Sequence, residues 1–348
     1  VSEVEAPARP AARAPGLALL GGLLAPLALL ALASLALGAR DVPPGDVLAT
    51  LLGDAPDRTT ENIIWSARVP RTLLALATGA ALGLAGGLMQ ALTRNPLADP
   101  GLLGVSAGAS FAIVLASGVL GIGAVTGYLW FAFAGALVAT VGVYLLSSAG
   151  RAGLTPVKLA LAGVAVTALL SSFTSAIMLT EPESLNRYRF WAAGSLADTG
   201  GGELLRVLPF LVLGAVLTLA SAPALNSLAL GEDLARALGR RTRLIRLAGV
   251  TAVTLLTGAS VALIGPVVFV GLIVPHAVRV LAQRLGLGPD QRWLLPACAL
   301  LAPCLLLAAD IAGRLVARPV EIQAGVLVAV VGGPFFIFLV RRQRLTEV

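Results

Sequence analysis

The sequence predicts an all-α polytopic membrane protein with about ten transmembrane helices and both termini in the cytoplasm. Three observations carry that prediction. Of 348 residues, 57% are hydrophobic and only 12% are charged, with a mean hydropathy of +0.92, a balance too apolar for a water-soluble surface. Apolar runs of roughly 20 residues, the length that crosses a bilayer as a helix, recur along the chain. Arginines gather at the ends of those runs, as topology signals do, so the net charge of +7 does not indicate nucleic acid.

Residues 1–15 read as a disordered cytoplasmic tail, and the first span covers 17–38. Its apolar core exceeds the roughly 7 to 15 residues of a signal peptide, and many spans follow it. Further spans fall at 72–92, 102–122, 125–147, 158–179, 204–224, 246–264, 267–285, 293–310 and 322–340, so that 16–342 form one transmembrane domain and 343–348 a cytoplasmic tail. The stretch Leu247 to Val274 carries no charge and is too long for one ordinary span. It is divided at Gly265-Pro266 because that pair breaks helices, and a re-entrant piece there fits equally well. With ten spans, 16 of the 25 Lys and Arg lie inside, which is the bias expected of cytoplasmic loops.

Gly79, Gly83 and Gly87 recur on one face of the second span, and Gly104 with Gly108 repeats the pattern in the third, so backbones can approach closely in lipid. Cys298 and Cys304 stand nearly two helical turns apart, out of disulfide reach. His276, the single histidine, lacks companions for a metal site. The one lysine, Lys158, belongs to no phosphate-cradling G-x-x-x-x-G-K-[ST] loop, so any ATP is handled by another chain. The middles of the spans carry no carboxylate of the kind a gradient-driven carrier uses, since Asp310 and Glu321 lie near span ends.

One charged insert interrupts this apolar pattern. In Gly231-Glu-Asp-Leu-Ala-Arg-Ala-Leu-Gly239, Glu232 and Asp233 suit a helix N-terminus, Leu234 and Leu238 share a face, and Gly239 suits a helix end. Arg240, Arg241, Arg243 and Arg246 follow, so a short amphipathic helix near 229–240 is expected on the cytoplasmic side, either meeting a partner or lying on lipid.

Several segments in order then carry a resemblance: Arg68-Val-Pro-Arg71; Gln90-Ala-Leu-Thr-Arg-Asn-Pro-Leu-Ala-Asp-Pro-Gly-Leu-Leu-Gly-Val-Ser106; Gly231 to Gly239; Gly265-Pro-Val-Val-Phe-Val-Gly-Leu-Ile-Val-Pro-His276; and Trp293 through Asp310 and Arg314 to Gly333-Pro334-Phe335. Over roughly residues 60 to 342 the chain resembles the permease family of ABC importers for iron siderophores, haem and vitamin B12. The resemblance implies a ten-helix permease domain in the cytoplasmic membrane, pairing with a second permease subunit, two ATPase subunits below and an extracytoplasmic substrate-binding protein above. It implies no cofactor on this chain, with ATP and Mg held by the partner ATPase, and no covalent chemistry.

Gly231, Glu232, Asp233, Leu234, Ala235, Arg236, Leu238 and Gly239 then correspond to the coupling helix. Leu234 and Leu238 would fill an apolar notch while Glu232, Asp233 and Arg236 set register by charge. Arg68, Arg71 and Arg314 match arginines that pair with glutamates on the binding protein. Their residues alone leave open an anchoring of lipid phosphates, or an i+4 pairing of Arg314 with Asp310. Thr167, Ser171, Ser172, Thr174 and Ser175 in the fifth span correspond to a path-lining helix, or bond their own backbone. Gln90, Asn95 and Asp99 surround a cytoplasmic turn, as caps or as part of an inner gate. The chain departs from the family at Glu321-Ile-Gln-Ala-Gly325, where many relatives have a proline. The expectation is therefore an importer subunit for a bulky metal chelate, a ferric siderophore before haem or cobalamin. The competing readings are an ion-gradient-driven secondary transporter and, more distantly, a membrane enzyme or scaffold.

Overall fold

The computed structural model describes residues 13–38, 40–122, 125–149, 156–180, 188–189, 191–197, 199–318 and 320–344, and among these every regular element is a helix. In chain order they are α1 (Arg13–Ala36), α2 (Pro44–Leu51), α3 (Arg58–Thr93), α4 (Val105–Val119), α5 (Val125–Ser148), α6 (Pro156–Thr180), α7 (Gly201–Ala229), α8 (Glu232–Ala237), α9 (Thr242–Ile264), α10 (Val270–Arg284), α11 (Gln291–Val316) and α12 (Ala324–Arg344). Each of the ten expected spans falls on one helix. Among the described residues seven helices are long and apolar enough to cross a membrane, while α4 and α12 contribute shorter apolar helices. The 15-residue α10 is less apolar because it carries His276, Arg279, Gln283 and Arg284.

Two boundaries differ from the sequence expectation. Helix α1 begins at Arg13, so residues 13–15 are helical rather than tail; residues 1–12 and 345–348 lie outside the described residues. The second span is the inner part of a much longer helix that starts at Arg58, where the Asp57 carboxylate accepts from the Thr60 amide at 2.8 Å as an N-cap. Its residues Ile63–Arg68 are wound as a π-helix, which turns Arg68 inward before the regular helix resumes.

Helices α3, α9 and α11 form the core. The apolar window of α3 is 78% buried, whereas that of α6 is 11% buried, so α6 and α1 present most of their surface outward. The glycine face of α3 explains the tight centre. A Cβ at Gly79 would lie 2.6 Å from the Pro303 Cα on α11, and one at Gly83 would strike the Cys298 carbonyl. At Gly86 the obstacle is the Gly271 carbonyl on α10, so two glycine backbones touch with no side chain between them. Gly108 of α4 packs in the same way on Gly135 of α5. Gly104 does not belong to that face: it ends the turn Pro100–Leu103 at φ 71°. The divide at Gly265 is real, with α9 ending at Ile264 and Gly265 at φ 75° beneath the Trp191 carbonyl.

The bundle has two distinct ends. Gly16 of α1 abuts Trp293 at the start of α11, and Ser34 near the other end of α1 meets Thr72 and Arg314. Asp290 and Arg314 are separated along α11 by 24 residues, about 36 Å of helix.

Candidate functional site

At the Asp290 end the chain leaves α7, makes the short helix α8 and enters α9. Gly231 (φ 113°) and Gly239 (φ 74°) bracket α8 in backbone conformations that favour glycine, giving a sharp joint on each side. Ala235 is fully buried and seats the helix on its own chain, so of the expected docking residues it faces inward. Leu234 and Leu238 are 57% and 61% exposed, so the chain itself leaves this apolar face uncovered. Leu230, one turn earlier, and Leu244 and Leu247 at the start of α9 are exposed too. Leu230 belongs to the end of α7, across the Gly231 joint, so its i+4 spacing from Leu234 does not place it on the α8 face. Arg240, Arg241 and Arg243 are exposed around it.

Glu232 is placed differently from the expectation that it faces a partner. It accepts from Arg236 Nη2 at 2.6 Å and from Arg246 Nη2 at 2.7 Å, with Thr242 Oγ1 at 3.4 Å. Burial raises its pKa, but Arg246 and Arg236 more than offset this and hold the carboxyl below its ordinary value. Asp233 points fully outward and only grazes Arg236, at 3.9 Å.

At the opposite end the three expected arginines come together, and all are occupied within the chain. Arg71 grips Asp310 through Nε and Nη2 at 2.9 and 2.7 Å and donates Nη1 to Glu321 at 2.6 Å. Arg314 pairs with Asp310 at 2.9 Å and donates to the Ser34 and Leu37 carbonyls and the Ser34 hydroxyl. Arg68 donates to the carbonyls of Leu35, Ala36 and Arg40. Arg68 and Arg314 thus cap the orphan carbonyls at the C-terminus of α1, where the helix dipole favours cations. This is not the open display that docking suggests, because a guanidinium in an apolar helix end must find acceptors inside the chain. The three nevertheless line one cavity of about 330 Å³, with Arg40, Ser66 and Glu321 on its wall. The i+4 pairing of Arg314 with Asp310 is present; the Arg71 contacts, 239 and 250 residues apart in sequence, had no local signal.

The hydroxyls of α6 divide. Ser171, Ser172 and Ser175 are exposed on the outward surface, Thr167 is half-buried and Thr174 is buried. Ser172 and Thr174 donate to the carbonyls of Ala168 and Leu170 on their own helix. Asn95 and Asp99 satisfy their turn, accepting from the Leu97 and Gly101 amides. Gln90 is no cap: buried in α3, it accepts from Arg279 Nη1 at 2.7 Å and donates to the Gly271 carbonyl, tying α3 to α10. His276 lies edge-on to Phe335. Among the described residues no three His, Cys, Asp or Glu side chains gather as metal ligands.

The model of the FecCD transport family matches residues 26–342. The chain is 48% identical over 324 residues to the ferric enterobactin transport system permease protein FepD of Escherichia coli (strain K12), covering 92% of this chain and 94% of that protein. It is 41% identical over 331 residues to the iron(3+)-hydroxamate import system permease protein FhuB of Bacillus subtilis (strain 168), covering 92% and 83% respectively. A solved metal-chelate type ABC transporter in an inward-facing conformation superposes with a TM-score of 0.80 at 28% identity, over 94% of this chain and 99% of that one.

Proposed function

The chain belongs to the FecCD transport family, and on that premise we propose that it is the membrane-spanning subunit of an ATP-driven importer that carries a ferric siderophore into the cytoplasm. The observation that carries this reading is the exposed leucine face of α8, held on glycine joints at the end of the bundle remote from the arginine cluster. Ten helices cross the membrane, both termini are cytoplasmic and α8 faces the cytosol, in keeping with the arginine bias of the sequence. Two ATPase subunits bind α8 and hold ATP and Mg, a second permease subunit completes the path along α6, and an extracytoplasmic binding protein delivers the cargo. The kinship with ferric enterobactin and hydroxamate permeases supports choosing a siderophore ahead of haem or cobalamin as the cargo.

In this scheme nucleotide closure in the ATPases draws the two α8 helices together and shifts the permease pair between outward- and inward-open states. Leu234 and Leu238 supply apolar area, and Asp233 with the surrounding arginines sets register. The binding protein docks at the arginine end. An incoming carboxylate enters the cavity beside Arg68, Arg71 and Arg314 and competes with Glu321, the more exposed of the two acids on Arg71.

The test is co-purification and transport with the ATPase and binding protein. Leu234→Asp with Leu238→Asp is expected to abolish ATPase capture while the permease stays folded; undiminished capture would remove α8 from its role. Uptake that needs the ATPase and survives collapse of ion gradients is the expected result, and uptake driven by a gradient alone would make the protein a secondary transporter.

A further inference from the structure

The coupling reading leaves a mechanical problem. Helix α8 is six residues long and hangs between two glycine joints. Beyond the packing of buried Ala235 and the Arg240 amide bond to the Ala235 carbonyl at 3.0 Å, rotation at Gly231 and Gly239 would absorb a push on its leucine face unless a side chain braces a joint. Among the described residues, the side-chain bonds between α8 and a flanking helix run forward, past Gly239, into α9. Glu232 accepts from Arg246 at 2.7 Å and lies 3.4 Å from the Thr242 hydroxyl, while Arg236 clamps its other oxygen at 2.6 Å.

We propose that Glu232 and Arg246 form a strut that makes α8 and the first turns of α9 move as one body, so that force from the ATPase enters the membrane through α9. This rests on α8 being the ATPase-docking helix, and it assigns Glu232 to an intrachain role rather than to the partner surface. Both ends of the strut suit the task. Glu232 is held from three directions and so has one geometry, and a guanidinium–carboxylate contact resists bending better than a single neutral bond. The receiving helix is also the right one. In α9 the apolar window is 72% buried, against 28% for α7, so displacement of α9 must be shared with the core. Gly249 of α9 lies directly on Leu92 of α3, carrying the displacement to the central helix. Arg246 and Glu232 are positioning residues: neither touches cargo or nucleotide.

The experiment uses the full transporter in vesicles, permease with ATPase subunits and binding protein, supplied with radio-iron-loaded enterobactin. Arg246→Glu is expected to lower iron moved per ATP hydrolysed by about fivefold, with the ATPase still captured. The exchange Glu232→Arg with Arg246→Glu is expected to restore part of the loss, since it rebuilds the pair but sets the new arginine beside Arg236, and a merely structural pair would leave iron moved per ATP unchanged while the ATPase is captured. ATP-dependent thiol labelling of Ser171→Cys, in a background with Cys298 and Cys304 replaced by alanine, reads the same transmission without any cargo. Labelling should respond to ATP in the parent, fail to respond with Arg246→Glu and respond again in the exchange. Arg246→Glu matching the parent in both readouts, or an exchange no better than the single variants, would overturn the strut. Failure of the parent to capture the ATPase would instead overturn the docking of α8, and the strut with it.

Discussion

Arg71 and Asp310, on α3 and α11, meet through two guanidinium nitrogens although 239 residues separate them, and the Asp310 side chain is only 1% exposed. The same carboxylate accepts from Arg314, so one buried acid holds two arginines and, through Arg314, the end of α1. A buried acid shared by two cations is hard to replace, because removing it leaves Arg314 without a carboxylate and Arg71 with Glu321 alone.

Asp310→Ala is therefore expected to destabilise the folded protein by about 3 kcal/mol, the usual cost of breaking a buried ion pair from one side. Glu321→Ala, which removes the more exposed partner of Arg71, should cost well under half of that. Thermal melts of the purified protein in detergent check the ranking. Equal melting of the two variants would show that Asp310 is not the keystone.

The backbone contact of Gly86 with Gly271 predicts intolerance to a single methyl group. Gly86→Ala places a Cβ on the Gly271 carbonyl and should cost about 1 to 3 kcal/mol by overpacking. Gly142→Ala on α5, where nothing lies within 4 Å, should be neutral or slightly stabilising. Fluorescence-detected size-exclusion melting of both variants measures the contrast.

Gln90 bridges α3 and α10 by accepting from the Arg279 guanidinium, whose Nη2 is buried without a bond. Gln90→Leu removes the acceptor that Arg279 has in this site and should cost about 2 kcal/mol. Gln90→Glu supplies a carboxylate to the same guanidinium and should retain most of the parent stability. Urea or thermal unfolding of the pair decides it, and identical losses would deny the bridge.

The Glu232 carboxyl, held below its ordinary value by its arginines, predicts the pH response of the α8 turn. A depressed carboxyl stabilises the folded arrangement fully above its unfolded value of about 4.3, and that contribution is lost as pH falls through the folded value. Spin-label distances between Leu238 and Leu247 should stay narrow from neutral pH down to the ordinary carboxylate range and broaden only in stronger acid. Broadening near pH 6 would mean that Glu232 is not held by Arg246.

Legibility differed sharply between elements. The apolar runs fall on helices, seven of them among the described residues long and apolar enough to cross a membrane, because helix formation in an apolar medium is dictated locally: every backbone group must be satisfied within its own segment. The extra turns of α3 before Val69 and the helix α2 were missed, since they lie outside any apolar run and depend on caps such as Asp57. The α8 segment could be read because acids, paired leucines and flanking glycines are all neighbours in sequence. Its inward-facing members, Glu232 and Ala235, could not, because their partners belong to α9 and the chain behind.

The sequence by itself determined what kind of molecule this is, an apolar helical bundle with a charged amphipathic insert and arginines at its ends, for those properties reside in composition and in spacings of three, four or twenty residues. Only the tertiary structure decided which charges meet. Arg71 finds Asp310 and Glu321, and Glu232 finds Arg246, through helix packing that places distant residues side by side. A buried or half-buried charge takes whichever acceptor that packing brings within reach, and no local pattern encodes the choice.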